Sequence, residues 1–324
     1  MSNPKYKMID TKVHKVFHSE DYNYVFNKID GRMARWGATL EDDPDFAPFP
    51  EILDIEVTTI CRGIDGKVCP MCYKGNTSIG ENMSLDSFKT IMNKMPFLTQ
   101  IAIWADSTAT SNPSLFEMMD YARNMGIVPN ITVAQLSDEV ADELSKRVGA
   151  IAISRYADKN VCYDSVKKMT DRGVEQVNIH QLISKETFSQ VVETLNDIKT
   201  DERLSKLRAI VFLSLKQKGR GVSYSPLSQE EFSFIVRQAQ EKNISFGFDS
   251  CSAYKFLTTV KDDADADLLI SQTEPCESSL FSAYINAKGD FYPCSFSEGC
   301  DEWERGISVI EAKKFDDVWM NDRV

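Results

Sequence analysis

Three cysteines stand close together in the stretch CRGIDGKVCPMC, at positions Cys61, Cys69 and Cys72. Thiolates in such a group bind soft metals, either zinc or the irons of an iron–sulfur cluster. A structural zinc ion usually takes four ligands, and three cysteines without a close fourth fit that geometry poorly. A [4Fe–4S] cluster has four irons, so three cysteines would leave one iron open to a ligand from outside the protein. The spacing therefore favours such a cluster over a zinc site or a redox Cys-x-x-Cys pair.

Five further cysteines lie elsewhere in the chain. The N-terminus, MSNPKYKMIDTKVHK, has no apolar segment behind its charges and does not have the pattern of a secretory signal. We therefore expect the protein to stay in the reducing cytoplasm, where cysteines are metal ligands, redox groups or core residues rather than disulfides. Cys162, on the flank of a helix in NVCYDSV, is expected to be structural.

The composition limits the classes of partner. The 324 residues carry 49 acidic and 37 basic side chains, for a net charge of −12. Non-specific binding to nucleic acid depends on Lys and Arg, so a nucleic-acid partner is not expected. No apolar run approaches the roughly 20 residues that a membrane helix needs, so no membrane association is expected.

From residue 51 to residue 250, strand-like segments alternate with amphipathic helices. The strand TQIAIWA, the helix NPSLFEMMDYARNMG and the strand VPNITVAQ follow one another in this way. The alternation predicts an α/β fold with a parallel sheet and right-handed crossovers. Six or seven such units fit a partial (β/α)6 barrel of the TIM type better than a closed eightfold barrel.

Two segments flank the predicted barrel. Residues 1–50 are expected to form an N-terminal extension or cap, with one helix around residues 21–37. Residues 251–324, which we call the tail, break the alternating pattern and contain an expected hairpin, SAYINAKGDFYPC. We expect the tail to be a small α+β domain with little core of its own and to be stabilised by bound metal.

Polar residues are expected at the carboxyl ends of the predicted strands, where parallel α/β proteins place their chemistry. These residues are Cys61, the segment from Asp106 to Thr108, Arg155, His180 and Cys251.

The stretch from Cys61 to Cys72 resembles the cluster-binding loop of the radical S-adenosylmethionine (radical SAM) superfamily, and residues 50–250 resemble its partial barrel in motif order. The resemblance implies that the three cysteines hold a [4Fe–4S] cluster whose open iron binds S-adenosylmethionine (SAM). An electron from a donor such as flavodoxin or ferredoxin would then cleave SAM to methionine and a 5′-deoxyadenosyl radical, which abstracts a hydrogen atom from the substrate. The spacing departs from the usual pattern, because seven residues rather than three separate the first two cysteines.

The resemblance also implies residues that contact SAM. Met71 stands where the family usually has an aromatic residue beside the adenine, and Tyr73 follows closely. In place of the family's Gly-Gly-Glu stretch, which meets the amino group of the methionine part, this chain has Asp106, Ser107 and Thr108. Their oxygens can accept hydrogen bonds from an ammonium group.

Two more positions follow the fourth and fifth predicted strands. Ser154 and Arg155 stand where the family often contacts the SAM carboxylate and ribose, and the alternative for Arg155 is a structural ion pair. His180 shares a strand face with Asn178, so a contact with SAM or substrate competes with a role in the core or at the rim.

The tail carries a second resemblance. Cys276, Gly289 and Cys294 match the opening pattern of the SPASM and twitch auxiliary-cluster domains that follow radical SAM barrels. With Cys300 and Cys251 they would hold one auxiliary [4Fe–4S] cluster, as in the shorter twitch type. Four cysteines would close every iron of that cluster, whereas without Cys251 one iron would be open to substrate.

The resemblance favours one class of reaction and leaves others open. LKQKGRG, residues 215–221, resembles a turn common just before such tails, and proteins with these tails most often modify a peptide or protein. We therefore expect a peptide substrate, although residues 1–50 look too short for the separate leader-binding domain that many such enzymes carry. Dehydrogenation or rearrangement of a small molecule is the alternative. From other classes, the alternatives are a non-catalytic scaffold stapled by zinc and an iron–sulfur electron-transfer protein.

Overall fold

The computed structural model describes residues 6–156 and 158–324, which form a four-stranded sheet, a ten-stranded sheet and the helices that cover it. The strands are β1 (Lys7–Asp10), β2 (His14–His18), β3 (Asn23–Asn27), β4 (Met33–Trp36), β5 (Ile52–Glu56), β6 (Gln100–Trp104), β7 (Val128–Val133), β8 (Ala150–Ser154), β9 (Gln176–Ile183), β10 (Ala209–Ser214), β11 (Phe246–Phe248), β12 (Ser282–Ile285), β13 (Asp290–Tyr292) and β14 (Ile307–Ser308). The α-helices are α1 (Leu85–Asn93), α2 (Leu115–Asn124), α3 (Asp138–Ser145), α4 (Lys159–Asp171), α5 (Phe188–Thr200), α6 (Gln229–Glu241), α7 (Ala253–Val260), α8 (Ala266–Ser271) and α9 (Asp316–Trp319).

Strands β5 to β11 form a parallel array in chain order, with α1 to α6 in the successive connections. Alternate strand residues such as Leu53, Ile55 and Ile103 pack with the helices in one hydrophobic core. Within the described residues β11 pairs only with β10, so β11 is an edge strand and the barrel is not closed there. The predicted α/β class with a large parallel sheet is confirmed.

The helices begin where local hydrogen bonding predicts. At the start of α6 the Ser228 hydroxyl accepts the N–H of Glu231, and the Glu231 carboxylate accepts the N–H of Ser228 at 2.7 Å. This reciprocal arrangement is the capping box that the two residue types at this spacing indicate. None of the helices in the described parts of the chain is long and apolar enough to cross a membrane.

Residues 7–36 form the four-stranded antiparallel sheet, and the helix predicted around residues 21–37 is wrong. Tyr22, Tyr24 and Phe26 lie on one buried face, which is the two-residue period of a strand rather than the 3.6-residue period of a helix. These side chains pack in an aromatic core of their own, beneath the sheet.

The four-stranded sheet lies against the amino ends of the barrel strands. The ammonium of Lys15 donates to the carbonyls of Pro96 (3.0 Å) and Leu98 (2.6 Å), just before β6. The side-chain amide of Gln176, the first residue of β9, donates to the carbonyl of Asp30 at 3.2 Å. The N-terminal segment therefore covers the end of the barrel opposite to the predicted site.

The tail joins the barrel sheet. Strand β12 pairs in parallel with β5, and β13 and β14 extend the sheet with antiparallel pairing. The predicted hairpin is present, and Phe291, Val309 and Trp319 belong to the same hydrophobic core as the barrel helices. The tail thus shares its hydrophobic core with the barrel. The division of the chain into three domains at residues 50 and 250 stays a prediction.

Replacing Lys15 by Met tests how the N-terminal sheet is fixed to the barrel. Lys15 is fully buried, and Met would keep the apolar stem while removing the donor that serves two carbonyls. The free energy of unfolding should fall by about 2 kcal/mol, as measured by urea unfolding. Lys12→Met, at an exposed position, is the control and should leave the stability unchanged. Equal midpoints for Lys15→Met and the wild type would contradict the anchoring role.

Candidate functional site

The cysteine loop, residues 61–77, begins beyond the regular part of β5. The strand predicted to reach Cys61 ends at Glu56, and the chain continues in extended form with an isolated bridge between Ile60 and Thr77. The N–H of Cys61 donates to the carbonyl of Thr77 at 2.6 Å, so the two ends of the loop lie side by side. The loop is thereby held at the carboxyl end of the barrel.

Gly63 lets the loop turn back directly after its first cysteine. Its φ is +69°, and a Cβ atom at this position would lie 1.8 Å from the carbonyl oxygen of Lys67, so only glycine fits. Ser107, from the segment after β6, donates its hydroxyl to the carbonyl of Gly63 at 2.7 Å. The sulfur of Cys61 lies 3.9 Å from the same hydroxyl. Ser107 therefore lies beside the first cysteine, and its contact with SAM stays a prediction.

Asp106 is buried and organises the segment after β6. One carboxylate oxygen accepts the N–H groups of Thr110 (2.8 Å) and Ser111 (2.9 Å). The other oxygen accepts the hydroxyl (2.6 Å) and the N–H (3.2 Å) of Thr108. Because four donors from its own segment occupy the carboxylate, the geometry favours a structural role for Asp106 and Thr108. Their predicted contact with the SAM amino group stays a prediction.

Cys69 and Cys72 lie on one turn, in which the N–H of Cys72 donates to the carbonyl of Cys69 at 3.4 Å. Tyr156, two residues after β8, lies near the cysteine loop, because burial raises the pKa of its hydroxyl and the neighbouring thiol of Cys69 adds to this rise. Burial raises the pKa of the Cys69 thiol to about 11.

The donor set of the cysteine loop fits a metal cluster. Cys61, Cys69 and Cys72 are free, partly exposed thiols. A thiol with a raised pKa is protonated at neutral pH, and a bound metal supplies the positive charge that ionises it. Across residues 6–156 and 158–324, no three His, Cys, Asp or Glu side chains are arranged so that they could hold a metal ion. The ligand set therefore stays a prediction, supported by the chemistry of its donors.

Arg155 points away from the barrel interior. Ile151 and Ile153 pack against the helices, and Arg155 continues on the same side of the chain after β8. Its guanidinium donates to Glu193 on α5 at 2.9 Å and to the carbonyl of Tyr156. The geometry favours the structural ion pair that was the alternative for this residue, and its contact with SAM stays a prediction.

His180 lies within β9 rather than at a strand end, because β9 continues to Ile183. The expected strand-end position is therefore wrong, although His180 is level in the sheet with Ser154, the last residue of β8. Ile179 faces the helices, so the neighbouring His180 faces the barrel interior. Burial lowers the pKa of His180 to about 4, against the opposing effect of Asp249, so the imidazole is neutral at physiological pH.

The barrel interior carries acidic residues that the sequence analysis missed. Leu53 and Ile55 pack with the helices, so Asp54 and Glu56 face the interior from the same strand. Burial raises the pKa of Asp54 to about 7. The signal was present in the sequence, since two acids alternate with apolar residues in the segment ILDIE.

Lys74, two residues after the last cysteine of the loop, links the barrel wall to the tail. Its ammonium lies 3.2 Å from the carboxylate of Glu56, forms an ion pair with Glu298 and donates to the hydroxyl of Tyr284 at 2.8 Å. The Tyr284 hydroxyl donates in turn to Glu56 at 3.2 Å. Glu56 is only 2% exposed, so its charge depends on these partners for compensation.

Tyr73 also contacts the tail. Its hydroxyl donates to Ser295 at 2.9 Å, and its ring centroid lies 4.6 Å from that of Phe296. Since Ser295 follows Cys294 directly, the ring of Tyr73 lies between two segments that carry cysteines. The role predicted for Tyr73 and Met71 beside an adenine stays a prediction.

The four predicted ligands of the tail are free thiols. Cys251, Cys276 and Cys300 are exposed, and Cys294 is partly exposed after β13. Their assignment to an auxiliary cluster stays a prediction. Cys162 differs from them, because it is buried among the helices and its pKa is raised to about 12 by burial, in line with a structural role.

Comparisons with known proteins identify the fold. No model of a known family matches the chain, and no curated protein matches it. The structure of Streptococcus suis SuiB bound to the precursor peptide SuiA superposes with a TM-score of 0.73 at 12% identity, over 98% of this chain and 89% of that chain. SuiB bound to S-adenosylmethionine superposes with a TM-score of 0.67 at 12% identity, over 98% of this chain and 88% of that chain.

At 12% identity this likeness shows the fold. Because it covers 98% of the chain, it includes the N-terminal sheet, the barrel and the tail. The fold class predicted from the alternating pattern is confirmed, and the resemblance predicted from the cysteine loop is shown at the level of the fold.

Replacing Lys74 by Met tests the ion pairs between barrel and tail. The variant would leave Glu56 buried without its cation, and the free energy of unfolding should fall by about 3 kcal/mol in urea unfolding. The double variant Lys74→Met/Glu56→Gln should recover part of this loss, because it removes the uncompensated charge. Lys313→Met, at an exposed position of the tail, is the control and should be neutral. A Lys74→Met protein as stable as this control would refute the interpretation.

The half-buried His180 should make the free energy of unfolding depend on pH. Between its pKa of about 6.5 in the unfolded chain and about 4 in the folded protein, the unfolded chain binds a proton that the folded protein does not. The part of the free energy of unfolding that is due to His180 should therefore fall by about 2 kcal/mol between pH 7 and pH 5, and it is measured as the difference between the wild type and His180→Asn, because the raised pKa of Asp54 acts in the opposite direction over this range. His180→Asn should lack this part of the pH dependence, whereas His14→Asn at an exposed position should retain it. Parallel profiles for His180→Asn and the wild type would show that burial does not set this pKa.

Proposed function

We propose that this protein is a radical SAM enzyme that cleaves S-adenosylmethionine reductively and uses the 5′-deoxyadenosyl radical to abstract a hydrogen atom from a peptide or protein. The proposal rests on two observations taken together. Three free cysteines with cluster-like spacing lie at the carboxyl end of an open barrel, and the chain has the fold of SuiB, which has been crystallised with S-adenosylmethionine.

Cys61, Cys69 and Cys72 are the proposed ligands of the catalytic [4Fe–4S] cluster. When bound, such a cluster supplies the electron that splits the carbon–sulfur bond of SAM. The chain itself positions the first thiol, because Ser107 donates to the carbonyl of Gly63 and lies beside the sulfur of Cys61. All eight cysteines are free, which supports a reducing location such as the cytoplasm. The proposed electron donor, a flavodoxin or ferredoxin, follows from the proposed reaction.

The barrel interior supplies the proposed binding surface for SAM and substrate. Asp54, Ser154 and His180 face this interior and can hydrogen-bond amine, amide and hydroxyl groups. His180 is neutral at physiological pH, so it adds no charge that would repel the sulfonium. We assign substrate contact to this polar face and a structural role to Arg155, whose guanidinium is bound to Glu193.

A peptide is the proposed substrate class, because the SuiB structure with the TM-score of 0.73 contains a precursor peptide. A cavity of about 310 Å³ opens between the cysteine loop and the tail. Its walls include Tyr73 and Lys74 of the loop, and Asn286 and Glu298 of the tail. The polar side chains of this cleft can hydrogen-bond the backbone of an extended peptide segment. A small metabolite is the competing substrate class, and the experiment below distinguishes the two.

Cys251, Cys276, Cys294 and Cys300 are the proposed ligands of an auxiliary [4Fe–4S] cluster. The tail contacts the cysteine loop through Tyr73, so a cluster there would lie close to the proposed substrate cleft. We propose that this fully ligated cluster forms a wall of the substrate pocket or accepts an electron from the substrate radical.

The decisive experiment is anaerobic purification followed by incubation with SAM and a strong one-electron reductant. The proposal predicts about eight irons per chain, for two clusters, and formation of 5′-deoxyadenosine above a no-protein control. Cys72→Ala should abolish this product, whereas Cys162→Ala, which removes a buried thiol outside both ligand sets, should retain it. Cys294→Ala should hold about half the iron and retain slow cleavage of SAM, but it should not modify the substrate.

Each of the other outcomes would indicate a different function for this protein. Iron-free protein after attempted reconstitution, with bound zinc, would overturn the proposal in favour of a zinc-stapled scaffold. Iron without 5′-deoxyadenosine would indicate electron transfer. Deuterium transfer into 5′-deoxyadenosine from labelled small molecules, but from no peptide, would replace the substrate class and leave the reaction class intact.

A further inference from the structure

The segment Gly219–Ser223, a short 3-10 helix after β10, packs directly on the cysteine loop. The backbone N–H of Arg220 donates to the carbonyl of Cys72 at 3.0 Å. Its side chain donates through Nε to the carbonyl of Cys69 at 2.8 Å and through Nη2 to the carbonyl of Asn76 at 3.1 Å. One residue thus holds three carbonyls of a loop that lies about 150 positions earlier in the chain.

Gly219 permits this close approach. Its φ is +54°, and a Cβ atom at this position would lie 2.3 Å from the carbonyl oxygen of Tyr73 and 2.8 Å from that of Cys72. Any larger residue would push the two segments apart. Gly219 therefore brings the backbone of Arg220 within hydrogen-bonding distance of the loop. From there the guanidinium contacts the carbonyls of Cys69 and Asn76.

The chemistry of these contacts requires arginine. A guanidinium is a planar fork whose N–H groups point in fixed directions, so it can bridge two carbonyls that lie several residues apart. A lysine ammonium is a point charge on a flexible stem and holds such a pair less rigidly. Hydrogen bonds from charged donors are also stronger than those between neutral groups.

We propose that Arg220 is a positioning residue that fixes the backbone of the cysteine loop, so that Cys69 and Cys72 are already in place when a cluster is inserted. The purpose of this clamp depends on the proposed function above. The clamp itself is a property of the chain without a cluster, so it can be tested separately. Arg220 acts through backbone carbonyls, and no contact between its side chain and a ligand is required.

The first measurement is hydrogen–deuterium exchange of the cluster-free protein, with the loop followed in peptides that cover residues 69–77. In the wild type, the N–H groups of Cys72 and Gly75 are bonded within the loop, and both share an acceptor with Arg220: the Cys69 carbonyl also accepts the Arg220 side chain, and the Cys72 carbonyl also accepts the Arg220 backbone N–H. Arg220→Gln should speed exchange in this segment about tenfold, since it removes two charge-assisted hydrogen bonds. Arg220→Lys should give a smaller but clear increase, and it keeps the charge should Arg220→Gln fail to fold.

The control is Arg172→Gln on the helix layer, where the arginine also donates to a backbone carbonyl, that of Lys168 at 3.0 Å. This variant should leave exchange in residues 69–77 unchanged. Exchange in Arg220→Gln and Arg220→Lys that matches the wild type would overturn the clamp.

The second measurement is the rate at which a chelator removes iron from the reconstituted protein. Iron should leave Arg220→Gln about tenfold faster than the wild type or Arg172→Gln, given the lost hydrogen bonds. If Arg220→Gln shows faster hydrogen exchange in the loop but releases iron at the wild-type rate, Arg220 does not position the thiols for the cluster. If the wild type itself binds no iron, the proposed function fails, while the exchange experiment still decides whether Arg220 holds the loop.

Discussion

A partly buried ammonium group between two carboxylates joins the main parts of this molecule. Glu56 lies inside the barrel wall, and Lys74 reaches it from the cysteine loop while also pairing with Glu298 of the tail. Removing either partner of a buried ion pair leaves a charge that the interior cannot solvate. The barrel wall, the cysteine loop and the tail are therefore placed by one shared electrostatic requirement, and the tail is an integral part of the site.

The two faces of the barrel strands have different tasks. The face toward the helices is apolar and continuous, and Arg155 at its edge is tied to Glu193. The inner face carries Asp54, Glu56 and His180, where a closed TIM barrel would be filled by branched apolar side chains. An open array with polar inward residues has room for ligands, and this contrast supports a site inside the barrel rather than on its helical surface.

The sequence predicted what depends on local periodicity and spacing. The order of strands and helices and the place of the cysteine loop after the first barrel strand follow from short-range patterns. The prediction of an N-terminal helix was wrong, because the alternation of inward and outward side chains in NYVFN outweighs helix propensity once one face is buried. The outward direction of Arg155 was predictable, since it shares the parity of Ile151 and Ile153. The partners of Lys74 were not, because its contact with Glu298 joins residues 224 positions apart and depends on tertiary structure.

The pairing of β5 with β12 has a consequence for biosynthesis. Strand β5 leads into the cysteine loop, and one of its neighbours, β6, leaves the ribosome soon after it, whereas the other is made some 230 residues later. Until then β5 presents an unpaired edge, which invites wrong association. A nascent chain therefore cannot complete this edge until residue 285 has left the ribosome, and insertion of any metal at the adjoining loop should follow that point.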